Sequence, residues 1–149
     1  MDRMQLFDRV HESWQEFRQS FEGLSEAEMR EPGVAGDWSA RDLVIHVAVW
    51  EQEALTALPL LLEGKRARRY GNIDRFNEEQ RQLHASHGPA QAVEKLADTH
   101  ARLLDYLRTL PEPALESETR VRHRLRLDPY SHYPQHTEAV LSWRKGRGL

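Results

Sequence analysis

Three histidines occupy positions from which their side chains could bind one metal ion. His132 and His136 are four residues apart, which places both imidazoles on the same side of a helical turn. His46 comes much earlier, on the apolar face of a predicted helix. Neutral imidazoles bind zinc, nickel, copper and iron, and three of them leave a coordination position open for water or substrate. If two adjacent helices bring the rings together, the three residues would form a reactive divalent-metal site, although spacing alone favours a plainer interpretation.

The same spacing has a plainer interpretation. The chain contains eight histidines, so a pair four residues apart can arise by chance, and a lone buried histidine is more often a hydrogen-bonded core residue. Pro134 lies between the pair and requires a helix start or a kink at this point. We interpret His100 as a core or interface histidine, Glu53 as solvated charge and Trp50 as core. No catalytic residue is assigned beyond the three candidate ligands.

The first half of the chain predicts two long helices. Large apolar residues recur every three or four positions over residues 4–24, which indicates a first helix with one buried side. Ser39 and Asp42 have the spacing of a capping box and so start a second helix, which ends before Gly64. His46 falls on the buried face of this second helix.

The second half contains two more helical patterns, one extended pattern and a final helix. Apolar residues recur at helical spacing over residues 73–83, a short extra helix, and over residues 89–110, the third main helix. Residues 120–127 alternate arginine with apolar residues or histidine, and this period of two predicts an extended segment. Either Asp128–Pro129 or Tyr133–Pro134 then opens a fourth main helix.

Four helices that are each apolar on one side can bury those sides by packing together. A length of 149 residues suits one hydrophobic core and is too short for two ordinary ones. We therefore predict an all-α four-helix bundle, with a short extra helix in the connection between the second and third main helices. We expect a single domain over residues 1–149.

The composition limits the partners and the chemistry. A formal net charge of -3 provides no overall basic field and disfavours nucleic acid as a partner, although basic clusters occur at 65–69 and 120–126. The absence of cysteine excludes disulfides and thiolate ligands, so a thiol mechanism would need an external low-molecular-weight thiol. No signal peptide or membrane-spanning segment is recognisable, which predicts a cytoplasmic protein without a membrane partner.

Three segments, in this order, resemble motifs of the DinB-like four-helix-bundle superfamily. GDWSARDLVIHVAVWE, at residues 36–51, resembles its second-helix signature. IDRFNE, at residues 73–78, and HYPQH, at residues 132–136, resemble motifs of its ClbS/DfsB-type branch. The similarity covers nearly the whole chain, from the first helix to Trp143. It implies the same all-α bundle that the periodicity predicts.

The resemblance also implies a site and a range of functions. In that superfamily a second-helix histidine and an HxxxH pair commonly hold a divalent metal, and the matching residues here are His46, His132 and His136. Characterised relatives include thiol-dependent transferases and isomerases, and the ClbS/DfsB-type branch includes proteins that open the electrophilic ring of a genotoxin. We expect a zinc- or nickel-dependent hydrolase or thiol S-transferase that acts on a small electrophile in detoxification or stress response, as a homodimer.

Two alternatives stay open at the level of the sequence. The bundle could bind a small molecule or toxin without catalysis, with the histidines as polar pocket walls. It could also be a structural dimer that holds no metal. The fold alone does not decide among these functions, because one fold supports many different sites.

Overall fold

The computed structural model describes residues 2–116, 118–127 and 131–149. Within these ranges it contains seven α-helices, one short 3₁₀ helix and no β-strand, so the predicted all-α class is confirmed. In chain order the helices are α1 (Arg3–Ser20), α2 (Glu26–Arg30), α3 (Ala40–Leu62), α4 (Ile73–Leu83), α5 (Pro89–Thr109), the 3₁₀ helix (Glu112–Leu115), α6 (Arg120–Leu125) and α7 (Tyr133–Arg147).

The four long helices α1, α3, α5 and α7 form the predicted bundle, and α4 is the predicted extra helix. Helix α3 packs chiefly against α5, and α7 packs chiefly against α1. Each long helix contributes fully buried apolar side chains to one core, at about 1.5–3 kcal/mol for each large side chain removed from water. Examples from the four helices are Val10, Phe17, Leu58, Leu103 and Val140.

The start of α3 is fixed by hydrogen bonds that the sequence predicts. The Ser39 hydroxyl accepts from the Asp42 amide at 3.1 Å, and the Asp42 carboxylate accepts from the Ser39 amide at 3.0 Å, which completes the capping box. The Arg41 guanidinium donates to the same carboxylate at 2.8 Å and to the carbonyl oxygens of His84 and His87. These bonds tie the α4–α5 connection to the first turn of the helix that carries His46.

The prediction of an extended segment over residues 120–127 is wrong, because α6 occupies Arg120–Leu125. The Thr119 hydroxyl caps this helix by accepting from the Arg122 amide at 3.1 Å. Val121 and Leu125 are four residues apart and are both buried, so the alternating pattern also provides one buried helical face. Among the described residues, no helix is long and apolar enough to cross a membrane.

Candidate metal centre

The structure brings the three predicted histidines together. His46 lies in the second turn of α3, His132 is the residue before α7, and His136 is in the first turn of α7. The Nε2 atom of His132 lies 3.0 Å from that of His46 and 2.7 Å from that of His136. All three candidate ligand atoms lie within 4.8 Å of one another, and each ring is half-buried.

Pro134 does not separate the pair, because it lies in the first turn of α7. Proline is tolerated there, since its missing amide hydrogen would have no partner inside the helix. The backbone of His132 is already in the right-handed helical region, at φ -86° and ψ -44°, so both imidazoles project from the same side of one turn. The predicted start at Tyr133–Pro134 is confirmed, and Asp128–Pro129 lies outside the described residues.

Burial keeps His46 and His136 neutral. Desolvation, followed by the neighbouring His136 and His132, lowers the pKa of His46 to about 2. Desolvation and then His132 lower the pKa of His136 to about 3. Both imidazoles are therefore uncharged at neutral pH, and neutral imidazole is the form that binds a metal ion.

The nitrogen geometry fits a divalent transition metal. The Nε2 atom of His132 faces the Nε2 atoms of both other rings, and one N–H proton on that atom could be donated to only one of them. A divalent ion held by His46, His132 and His136 would instead engage all three lone pairs. The donor set is all nitrogen, which suits zinc, nickel, copper or iron better than calcium or magnesium.

A cavity of about 380 Å³ opens beside His46 and His132. Its walls include Trp50 and Tyr70, whose rings are 4.9 Å apart between centroids. The indole N–H of Trp50 donates to the Asn77 side-chain oxygen at 2.9 Å and so links α3 to α4. Trp50 is therefore both a core residue and a wall of the cavity. A small ligand held there would lie against His46 and His132.

Glu51, which the sequence pattern did not single out, is the most buried ionisable residue near this site, with 1% of its surface exposed. Its carboxyl group accepts from the hydroxyls of Thr99 at 3.0 Å and Tyr133 at 2.9 Å. The Nδ1 atom of His100 lies 3.2 Å from the same carboxyl group. Glu51 therefore joins α3 to both α5 and α7.

A signal for Glu51 is present in the sequence. The buried stripe of α3 passes through Val47, Ala54 and Leu58, and Glu51 stands in the middle of that stripe at helical spacing. An acidic residue at such a position must be neutral, paired or hydrogen-bonded, because an isolated buried charge is costly. Desolvation raises the pKa of Glu51 to about 8, against the opposing effect of hydrogen bonds from Tyr133 and Thr99.

His100 is a buried core residue, as predicted, but it belongs to a hydrogen-bonded chain. Its Nε2 atom lies 3.0 Å from Nδ1 of His11, and its ring stacks on Trp14 with centroids 4.0 Å apart. Desolvation lowers the pKa of His100 to about 3. His11 is half-buried against His100. Glu53, predicted to be solvated, pairs with Arg68 at 3.2 Å.

The chain is an all-α bundle in which a histidine of the second long helix faces two at the start of the last. The chain belongs to the DinB superfamily, whose family model matches residues 9–138. No curated protein is significantly similar to this sequence.

Solved structures show the same fold at low sequence identity. DfsB, a sibling lethal factor precursor, matches with a TM-score of 0.85 and 13% identity over 99% of this chain and 97% of its own. The colibactin self-resistance protein ClbS, in complex with dsDNA, matches with a TM-score of 0.83 and 13% identity over 97% and 96%. A Streptococcus pneumoniae protein matches with a TM-score of 0.84 and 10% identity over 97% and 91%. The predicted resemblance to the ClbS/DfsB-type branch is confirmed in the fold.

The complex of ClbS with dsDNA corrects one prediction. Net charge led us to disfavour nucleic acid as a partner, and that inference is wrong, because a protein with this fold contacts dsDNA. Net charge averages over the whole surface, whereas DNA is bound by a local group of cations. The structure places the two basic clusters of this chain side by side, since Arg120 donates to the carbonyl oxygen of Lys65 and Arg124 donates to the Tyr70 hydroxyl at 2.7 Å.

Proposed function

We propose that this protein is a metal-dependent enzyme that acts on a small electrophilic substrate, as a hydrolase or a thiol S-transferase. The observation that carries the proposal is the convergence of three imidazole nitrogens beside a cavity of about 380 Å³. His46, His132 and His136 would hold zinc or nickel. When bound, the ion would supply a Lewis acid and lower the pKa of a coordinated nucleophile.

The residues of the chain would bind and orient the substrate. Trp50 and Tyr70 offer aromatic surface against which a small ligand can exclude water, and the Trp50–Asn77 hydrogen bond holds that wall in place. The chain has no cysteine, so sulfur transfer would use an external thiol and hydrolysis would use water. His46 and His136 are neutral, and Arg124 is a positively charged side chain that lines the same cavity.

Turnover assays on untagged protein would test this proposal. Chelator-treated protein, the same protein reloaded with zinc or nickel, and His46→Ala would each be incubated with chlorodinitrobenzene or styrene oxide, with and without glutathione. We expect turnover only in reloaded wild-type protein. Dependence on glutathione would identify a transferase, and turnover in water alone would identify a hydrolase. Metal content unchanged in His46→Ala, or turnover unaffected by chelation, would contradict the proposal.

A second candidate function, contact with dsDNA, is favoured by the basic surface formed by residues 65–69 and α6. Lys65 and Arg68 have acidic partners, Glu63 at 2.8 Å and Glu53 at 3.2 Å. Arg66 and Arg69 are exposed, and neither forms an ion pair within the described part of the chain. These two guanidinium groups are therefore well suited to phosphate contacts, which dominate DNA affinity.

Fluorescence anisotropy with a short labelled duplex would test the DNA interface. The double variant Arg66→Glu, Arg69→Glu is expected to bind at least about 10-fold more weakly than wild type, with a shallower dependence on salt because fewer counterions are released. The control is Arg102→Glu, which reverses an exposed arginine on α5. Equal affinity in wild type and the double variant, or no binding by wild type at low salt, would contradict this function.

A further inference from the structure

The candidate ligands lie on two helices that have different main packing partners. His46 is on α3, which packs chiefly against α5, whereas His132 and His136 are at the start of α7, which packs chiefly against α1. A metal site requires ligand positions accurate to a few tenths of an ångström. The distance between His46 and the pair therefore depends on whatever fixes the first turn of α7 against α3.

The Glu51 carboxyl group lies at this junction. Its Oε2 atom accepts from the hydroxyl of Tyr133 at 2.9 Å, and Tyr133 directly follows the candidate ligand His132. The Tyr133 side chain is fully buried, so it is held in one place by packing as well as by this bond. A hydrogen bond to a buried oxygen is strong, because no water competes for either partner.

The carboxyl group is itself fixed from the α5 side. The Thr99 hydroxyl donates to its Oε1 atom at 3.0 Å, and His100 Nδ1 lies 3.2 Å from its Oε2 atom. Thr99 and His100 are almost completely buried. The oxygen that receives Tyr133 is therefore anchored to the α3–α5 pair, which forms the larger helix contact of the bundle.

We propose that Glu51 is a positioning residue for the candidate metal centre: its carboxyl group fixes Tyr133, and through Tyr133 it sets the first turn of α7 where His132 and His136 meet His46. This inference rests on the proposed function. In the hydrogen bonds described above, Glu51 contacts Tyr133, Thr99 and His100 and none of the three candidate ligands. Its contribution would be to align the two helices before the ion binds, so that metal binding does not include the entropic cost of that alignment.

A purely structural role would be different in one measurable way. If the buried hydrogen bonds around Glu51 only stabilised the fold, removing any one of them would lower the stability of the protein, whichever bond was chosen. Thr99→Val and Tyr133→Phe each remove one hydroxyl from the same carboxyl group and keep nearly the same volume. Only Tyr133 lies in the helix that carries two candidate ligands. The two variants therefore form a matched pair.

Titration of chelator-treated protein with Co²⁺ would test the inference, with affinity and the visible d–d spectrum as readouts. We expect Tyr133→Phe to bind Co²⁺ about 10–100-fold more weakly, as is usual when a residue supporting the ligands is lost, and to show an altered spectrum. Thr99→Val is expected to weaken binding much less, because Oε2, the oxygen that accepts from Tyr133, keeps its contact with His100. Glu51→Leu should resemble Tyr133→Phe, and Glu51→Gln should restore affinity because its amide oxygen can accept from Tyr133.

The outcomes separate this inference from the proposed function. Tight Co²⁺ binding by wild type that is unchanged in Tyr133→Phe would overturn the positioning role and leave the metal site intact. Equal weakening in Tyr133→Phe and Thr99→Val would also overturn it, in favour of a structural network. Wild type that binds no Co²⁺ would overturn the metal site and the inference together. Thermal unfolding of each variant would show that the bundle still forms.

Discussion

Replacing His136 with alanine is expected to weaken zinc binding by more than about 100-fold, beyond the range usual for loss of a residue that only supports a ligand. The reason is geometric: the Nε2 atom of His136 lies 2.7 Å from that of His132, and its removal leaves two of the three nitrogens. Two imidazoles with several waters hold zinc poorly at neutral pH. Isothermal titration of untagged, chelator-treated protein would measure the change.

His100→Ala is the matched control for this experiment. His100 is also a buried histidine of low pKa, but it faces Glu51 and His11 instead of the three-histidine cluster. We expect this variant to keep one bound zinc per chain and to lose far less affinity than His136→Ala, because all three ligand nitrogens remain, and to unfold at a lower temperature because a buried hydrogen-bonded ring is lost. Equal zinc affinity in the His136 and His100 variants would contradict the ligand assignment.

Replacing Glu51 with glutamine is expected to remove a fall in stability that wild type shows as the pH rises. Folding raises the pKa of Glu51 from 4.5 to about 8, so between these values the folded protein holds a proton that the unfolded chain has lost. The free energy of unfolding should therefore fall with rising pH, by up to about 1.4 kcal/mol for each pH unit, and level off above pH 8. Glutamine has no proton to lose, and its profile should be flatter.

The groups around Glu51 allow this effect to be isolated. It faces His100 and Thr99 from α5 and Tyr133 from α7, with His11 of α1 beyond His100. The pKa of His100 is lowered on folding, so its contribution to stability is lost as the pH falls below 6.5 and is constant above it. Urea unfolding of metal-free protein from pH 6.5 to 9 would therefore report mainly on Glu51. Parallel pH profiles for wild type and Glu51→Gln would contradict the assignment.

The helices of this protein are largely determined by local sequence. Periodic apolar residues, the Ser39–Asp42 capping box and the prolines at the starts of α5 and α7 act within one or two helical turns, so they can be interpreted without knowing the fold. His132 and His136 also form a local pair, because one helical turn fixes their relation. The residues 120–127 show the limit of such reasoning, since Val121 and Leu125 fit both a strand and one buried face of a short helix.

The site depends on contacts between residues far apart in the chain, and only the tertiary structure decided those. Residue spacing cannot give the 3.0 Å approach of His46 to His132, because it follows from how α3 and α7 pack. The same holds for Glu51, whose acidic character on an apolar stripe signals a buried partner without saying which one. The proximity of the two basic clusters is also tertiary, and a net charge of -3, which averages over the whole surface, does not reveal it. Local interactions select the helices, and the packing of side chains from distant segments selects which groups meet.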